Sequence, residues 1–226
     1  MSDQTKTQLI HEKEKEKEKD RDSGWAEFFL PIQTLNTEYI QVDSPKHIHS
    51  NRHFYPTNDR PIAALWYKSP DFTLTSFTLL TTTLRVHSWD SATGRLELET
   101  DTCTAAQIIA IQKRILTILE SHREWFPPHT NIQQDFQYMY HNSILTVYLH
   151  GMNSEQIHTG RVWNWSDGTW QKGVSPATFS KGCAVRLAIR FQGICFLKTE
   201  GGKIRYRIQH QTVAIYHKPT LSISCK

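Results

Sequence analysis

The 226-residue sequence has no run of 18 apolar residues, and no apolar stretch lies among the charged residues near its N-terminus. A membrane-spanning helix needs about 20 apolar residues and a secretory signal needs an apolar core, so neither is expected. The expectation is an intracellular protein, nuclear or cytoplasmic, with no membrane partner. Cysteine is sparse: Cys103, Cys183, Cys195 and Cys225 stand far apart and form no C-x-x-C pair, which argues against a thiolate zinc site and against a disulfide framework. They read as reduced thiols, and Asn164-Trp165-Ser166 reads as a chance glycosylation sequon. No G-x-S-x-G, H-E-x-x-H or dinucleotide fingerprint is present, and Gly201-Gly202 is too short for a phosphate loop. Glu97 and Glu99 flank a turn on a wetted face. Nothing therefore argues for enzymatic activity, and no cofactor is expected.

Charge of one sign is also lacking. Lys and Arg number 26 against 22 Asp and Glu, a net charge of +4 with a pI near 8.8. That mild excess permits a polyanionic partner without requiring one.

What the chain does have is Val, Ile, Thr, Phe, Tyr and Trp over long segments, the composition of strands. The expected class is mostly β with one principal helix (α+β). Residues 1–23 hold an alternating tract from His11 to Asp22 with too little apolar content to pack, which predicts a disordered charged tail. Residues 24–218 form a single β-rich domain and 219–226 a C-terminal tail. Strands are expected near Tyr39–Val42, then at Ile62–Lys68, Phe72–Leu80 and Thr82–Trp89, where a turn at Asp90-Ser-Ala-Thr-Gly94 leads into Arg95–Thr100. Thr104-Ala-Ala-Gln107 matches a capping box, and Ile108, Ile111, Ile115, Ile118 and Leu119 recur at helical spacing until Pro127-Pro128. That stripe is expected to pack on the sheet.

The C-terminal part reads as one long hairpin from Gly182 to Lys218, closed at Thr199–Lys203. If Lys198 pairs with Lys203 and no bulge intervenes, Val185, Leu187, Ile189, Phe191, Cys195 and Leu197 share the buried face with Ile204, Tyr206, Ile208, Ala214 and Tyr216. Arg186, Arg190, Gln192, Ile194 and Phe196 then share the outer face with Arg205, Arg207, Gln209 and Gln211. A bulge at Gly193 would exchange the faces over half the hairpin.

Just before it, Trp163, Trp165 and Trp170 are bracketed by Arg161 and Lys172 around a Ser166-Asp167-Gly168 turn. Tryptophans in such a setting either anchor a core or stack on unpaired bases. With Arg186, Arg190, Phe196, Arg205 and Arg207 they make a candidate aromatic and basic platform. A meander, a capped helix and a further hairpin resembles the topology of an OB-type barrel, implying an OB-like antiparallel barrel or sheet with the helix packed on it.

His47, His49 and His53 form an H-x-H-x-x-x-H pattern that resembles the first half of a cupin metal motif, on which His47 and His49 would point the same way. A cupin places Glu where this chain has His53 or Phe54, no second motif follows, and Pro45 and Pro56 make the region loop-like, so exposed loop histidines are expected.

The leading expectation is a protein that binds single-stranded nucleic acid, DNA or RNA, through this sheet face. A structural or assembly protein, capsid-like or scaffold, with protein partners or self-association is the alternative. A metal-dependent enzyme built on the histidines comes third.

Overall fold

β-branched and aromatic residues become strands where the pleat finds cover on at least one face. A computed structural model describes residues 29–47, 61–149, 162–166, 169–172, 179–198 and 203–218, in which 15 strands join in one network. Both expected tails, 1–23 and 219–226, lie outside these residues.

Phe29–Pro31 (β1), Ile40–Val42 (β2) and Lys46–His47 (β3) precede the longer Pro61–Lys68 (β4). The segment expected as one strand at Phe72–Leu80 is two, Thr73–Thr75 (β5) and Thr78–Leu80 (β6), because Ser76 between them takes a left-handed φ of 58°. Leu84–Asp90 (β7) and Arg95–Glu99 (β8) form the expected hairpin, its turn held by the Asp90 carboxylate, which accepts from the Ala92 amide at 2.9 Å and the Thr93 hydroxyl at 2.6 Å.

The principal helix, Thr102–Ser121 (α1), begins two residues before the expected capping box. Asp101 is the N-cap: its carboxylate accepts from the Thr104 amide at 2.9 Å and from the hydroxyls of Thr82 and Thr104. Burial alone would raise the Asp101 pKa, but those hydrogen bonds outweigh it and hold the carboxyl below its usual range. Ile108, Ile111, Ile115 and Leu119 are all 0% exposed, and α1 packs on β2 and the turn at Ile32–Thr34. Removing each such side chain from water contributes about 1.5–3 kcal/mol.

Beyond α1 come the single turn Ile132–Asp135 (α2) and the strands Phe136–Gln137 (β9), Tyr140–His141 (β10) and Ile144–Tyr148 (β11). Asn142 and Ser143, with φ of 49° and 64°, join β10 to β11 in a two-residue turn of the type that matches strand twist. Val162–Ser166 (β12) and Thr169–Lys172 (β13) follow, then the 15-residue strands Ala184–Lys198 (β14) and Ile204–Lys218 (β15).

β14 is the spine. One edge pairs in turn with β7 at Ala184–Val185, β6 at Ala188–Arg190 and β4 at Gly193–Cys195; the other carries β15 along its whole length. From β10 the main path runs β10-β11-β8-β7-β14-β15-β12-β13. The expected antiparallel sheet is in fact mixed and open, since β1 with β6, β9 with β15 and β12 with β15 are parallel pairs.

Two bulges correct the face assignment. The hairpin closes on Lys198 opposite Ile204 rather than Lys203, and its register slips between Phe191 and Gly193, where Gln192 is the extra residue, and between Ala188 and Ile189, where Val213 is. Pairing is therefore Phe191 with His210, Ile194 with Ile208 and Phe196 with Tyr206. Phe196, expected on the outer face, is turned inward and buried, its ring 5.6 Å from Phe126 and 5.8 Å from Tyr206. Ile194 goes in with it, while Cys195 and Leu197 pass to the outer face opposite Arg207 and Arg205. The slip at Val213 likewise moves Ala214 and Tyr216 to the outer face and Ile215 to the core. Val185, Leu187, Ile189, Phe191, Tyr206 and Ile208 are buried as expected.

Candidate nucleic-acid interface

Strand alternation with this register places Arg186, Arg190, Arg205, Arg207, Gln209 and Gln211 on one face of the hairpin. Arg186 and Arg205 are exposed, and Arg190 and Arg207 half-buried. Arg186 is steadied by its Nε, which donates to the Thr81 carbonyl at 3.2 Å. Its cross-strand partner is Tyr216, whose phenol is pushed up by burial and drawn partly back by the Arg186 charge. Arg205 and Arg207 form no ion pair with any described residue. Two residues apart on a strand, they stand about 6.6–6.8 Å from each other along the chain. Neither β14 nor β15 contains an Asp or Glu, although the chain carries 22 acidic residues. That gap is readable in the sequence.

The β12–β13 ribbon extends this face. β12 runs parallel to β15 with Trp163 in register with Tyr216, and in the ribbon Trp165 stands opposite Trp170 and Trp163 opposite Lys172. By alternation the positions of Trp163, Trp165, Trp170 and Lys172 share a face with those of Tyr216 and Arg186. Arg161 lies outside the described residues. Of the ten candidate residues, Phe196 alone is shown to be misplaced.

A cleft not visible in the sequence opens beside the same strand. On the edge away from β14, β15 pairs with β9 at Tyr206–Arg207 and with β12 from Ile215. β11 comes alongside, its Cα atoms within 8 Å of those of β15. Between them lies a pocket of about 270 Å³. Arg207, Gln209 and His210 line it from β15, Gln137 and Tyr138 from the β9–β10 segment, and Arg95 and Tyr148 from the β8–β11 ladder. No carboxylate lines it among the described residues, but Glu97 holds the lining Arg95 in an ion pair at 2.5 Å.

The segment that presents Tyr138 is fixed from behind. Gln112, buried on α1, accepts from the amides of Met139 at 2.9 Å and Tyr140 at 3.1 Å. Phe136 meets the Tyr138 ring edge-on at 5.0 Å, yet Tyr138 remains 43% exposed. Within β15, His210 Nδ1 lies 3.2 Å from the Ile208 carbonyl oxygen; the nitrogen donates in this contact, which fixes that tautomer when the ring is neutral.

No protein-family model and no curated protein matches the chain. Of the three histidines considered as metal ligands, His49 and His53 lie outside the described residues. Among those described, no three His, Cys, Asp or Glu side chains come together as a metal site, and no helix is long and apolar enough to cross a membrane.

Proposed function

We propose that this chain binds single-stranded nucleic acid, DNA or RNA, across the outer face of β14 and β15. The observation that carries this reading is the acid-free outer face itself. Four arginines and two glutamines share it by strand alternation, and the three tryptophan positions of β12–β13 extend the face by register. Cations along a strand track a phosphate backbone, and aromatic rings stack on bases irrespective of sequence, as in single-strand binders generally. The proposal includes an OB-like, partly open barrel made by β11, β8, β7, β14 and β15, with the gap between β11 and β15 as its open seam.

Arg205→Ala with Arg207→Ala tests it. Both side chains point away from the core that Tyr206 and Ile208 fill, so melting is expected to stay within a few degrees of the parent. Binding of a labelled oligo(dT), titrated between about 50 and 200 mM salt, is expected to weaken. The log–log salt slope is expected to flatten by up to about 1.4, that is about 0.7 for each of two phosphates. A parent protein that binds no oligonucleotide at any of these salts would overturn the reading. An assembly role would then lead, visible as a concentration-dependent mass in light scattering that varies little with salt.

A further inference from the structure

Resting on that reading, we propose that the cleft between β15 and β11 is a pocket for one unstacked nucleobase of the bound strand. Tyr138 is the stacking ring and Arg207 faces a flanking phosphate, while Arg95 is held by Glu97.

The first argument is size. About 270 Å³ falls just below the roughly 300–1,000 Å³ of pockets for drug-sized ligands, a size for a small ligand portion rather than for several nucleotides.

The second argument is shape. An unpaired strand edge ordinarily invites an extended peptide. Inserting a strand between two neighbours, however, requires them to stand about 9.4–9.8 Å apart. Where β11 and β15 Cα atoms come within 8 Å of each other, a strand in the sheet plane does not fit, whereas a flat ring lying on the surface of the seam does not need that width.

The third argument is chemistry. The described lining combines an aromatic ring exposed to 43%, two glutamines, Arg207, and Arg95 paired with Glu97. Each glutamine offers both a carbonyl and an amide group, which is what the mixed donor and acceptor edge of a base requires. An anionic strand meets complementary charge at Arg207.

Preorganisation is built in as well. The Tyr138 segment is bolted to α1 through Gln112, so the ring is held at the mouth before anything binds. A base entering the seam displaces little protein structure.

The experiment uses the full chain, oligo(dT), and an oligonucleotide of the same length in which the bases are replaced by abasic sites. Tyr138→Ala is expected to weaken oligo(dT) binding by roughly 5- to 150-fold, the fold-change of one lost stacking contact. It should leave the salt slope unchanged, because no phosphate contact is removed. Tyr138→Phe should bind like the parent. Binding of the abasic strand, already weaker, should be insensitive to Tyr138→Ala. Melting curves of both variants check folding, and Tyr138→Phe keeps the test valid should the alanine variant unfold.

If the parent binds oligo(dT) and Tyr138→Ala binds it equally well, the base pocket is wrong and the single-strand reading stands. Equal affinity of the parent for the abasic strand and oligo(dT) would also overturn the pocket, leaving a phosphate clamp. A parent that binds neither strand overturns both.

Discussion

Gly193 lies where the backbone of β4 leaves no room for a side chain on the spine strand, and replacing it with Ala gives a sharp test of the sheet. A Cβ there would lie 2.6 Å from the Ala63 carbonyl oxygen and 2.8 Å from Ile62 Cγ2. The isoleucine methyl can rotate away, but the carbonyl belongs to β4, which is paired with β14 at that point. Relief therefore needs the two strands to part by several tenths of an ångström. Overpacking of this kind costs about 1–3 kcal/mol. The φ of Gly193 is outside the left-handed region, so the alanine backbone itself is unstrained, and stiffening the unfolded chain returns about 0.4–1 kcal/mol. Taking the middle of each range, a net loss of about 1.3 kcal/mol remains. For a chain of this length that corresponds to a fall of about 3–5 °C in Tm. Calorimetry gives the overall change, and amide exchange should show protection falling first at Ile62–Ala64 and Gly193–Cys195. A variant that melts at or above the parent temperature, with exchange unchanged there, would refute the close approach and with it the pairing of β4 to β14.

Ile115→Asp places a carboxylate where exposure is 0%. It should cost more than about 4 kcal/mol and abolish soluble expression or cooperative melting, whereas a soluble, normally melting variant would show the stripe of α1 to be exposed. Tyr206 tests the hairpin interior through pH. Burial, with the Asp135 carboxylate adding to it, pushes its phenol up to about 12. The fold thus favours the neutral phenol, and the stabilisation, complete below the unfolded value near 10, is lost as pH rises from about 10 to 12. Tyr206→Phe keeps the ring against Phe126 and Phe196 and should lose less stability than the parent over that interval, read from urea midpoints; identical alkaline losses would refute the assignment.

Local signals carried much of the fold. Strand composition placed β4, β7 and β8, and the Ile108–Leu119 spacing placed α1, because both are read within a few residues. The helix start was misread since Asp101 competes with Thr104 for the cap, and Thr104 ends as its donor rather than the capping residue. Phe196 was lost to a single inserted residue. In a strand of period two, Gln192 inverts everything after it, and glutamine carries no mark of a bulge, whereas Gly193 beside it does. Arg205 and Arg207 kept their face because Tyr206 and Ile208 anchor the returning strand independently of the slip. The cleft was illegible for another reason: it joins Arg95, Tyr138, Tyr148 and Gln209 from separate elements, and only the approach of β11 to β15 creates it.

The position of β14 as spine also constrains how the chain is made. β4, β6 and β7 each complete one edge only when β14 arrives, and Gly193 pairs with Ala64, 129 residues earlier. At about 5–20 residues per second of synthesis, β4 waits roughly 6–26 s for that partner. Throughout that interval the apolar positions Ala63 and Leu65 and one edge of the strand stand uncovered on the ribosome. The burden of keeping the nascent chain from aggregating therefore falls on whatever shields residues 61–90 until the last hairpin emerges.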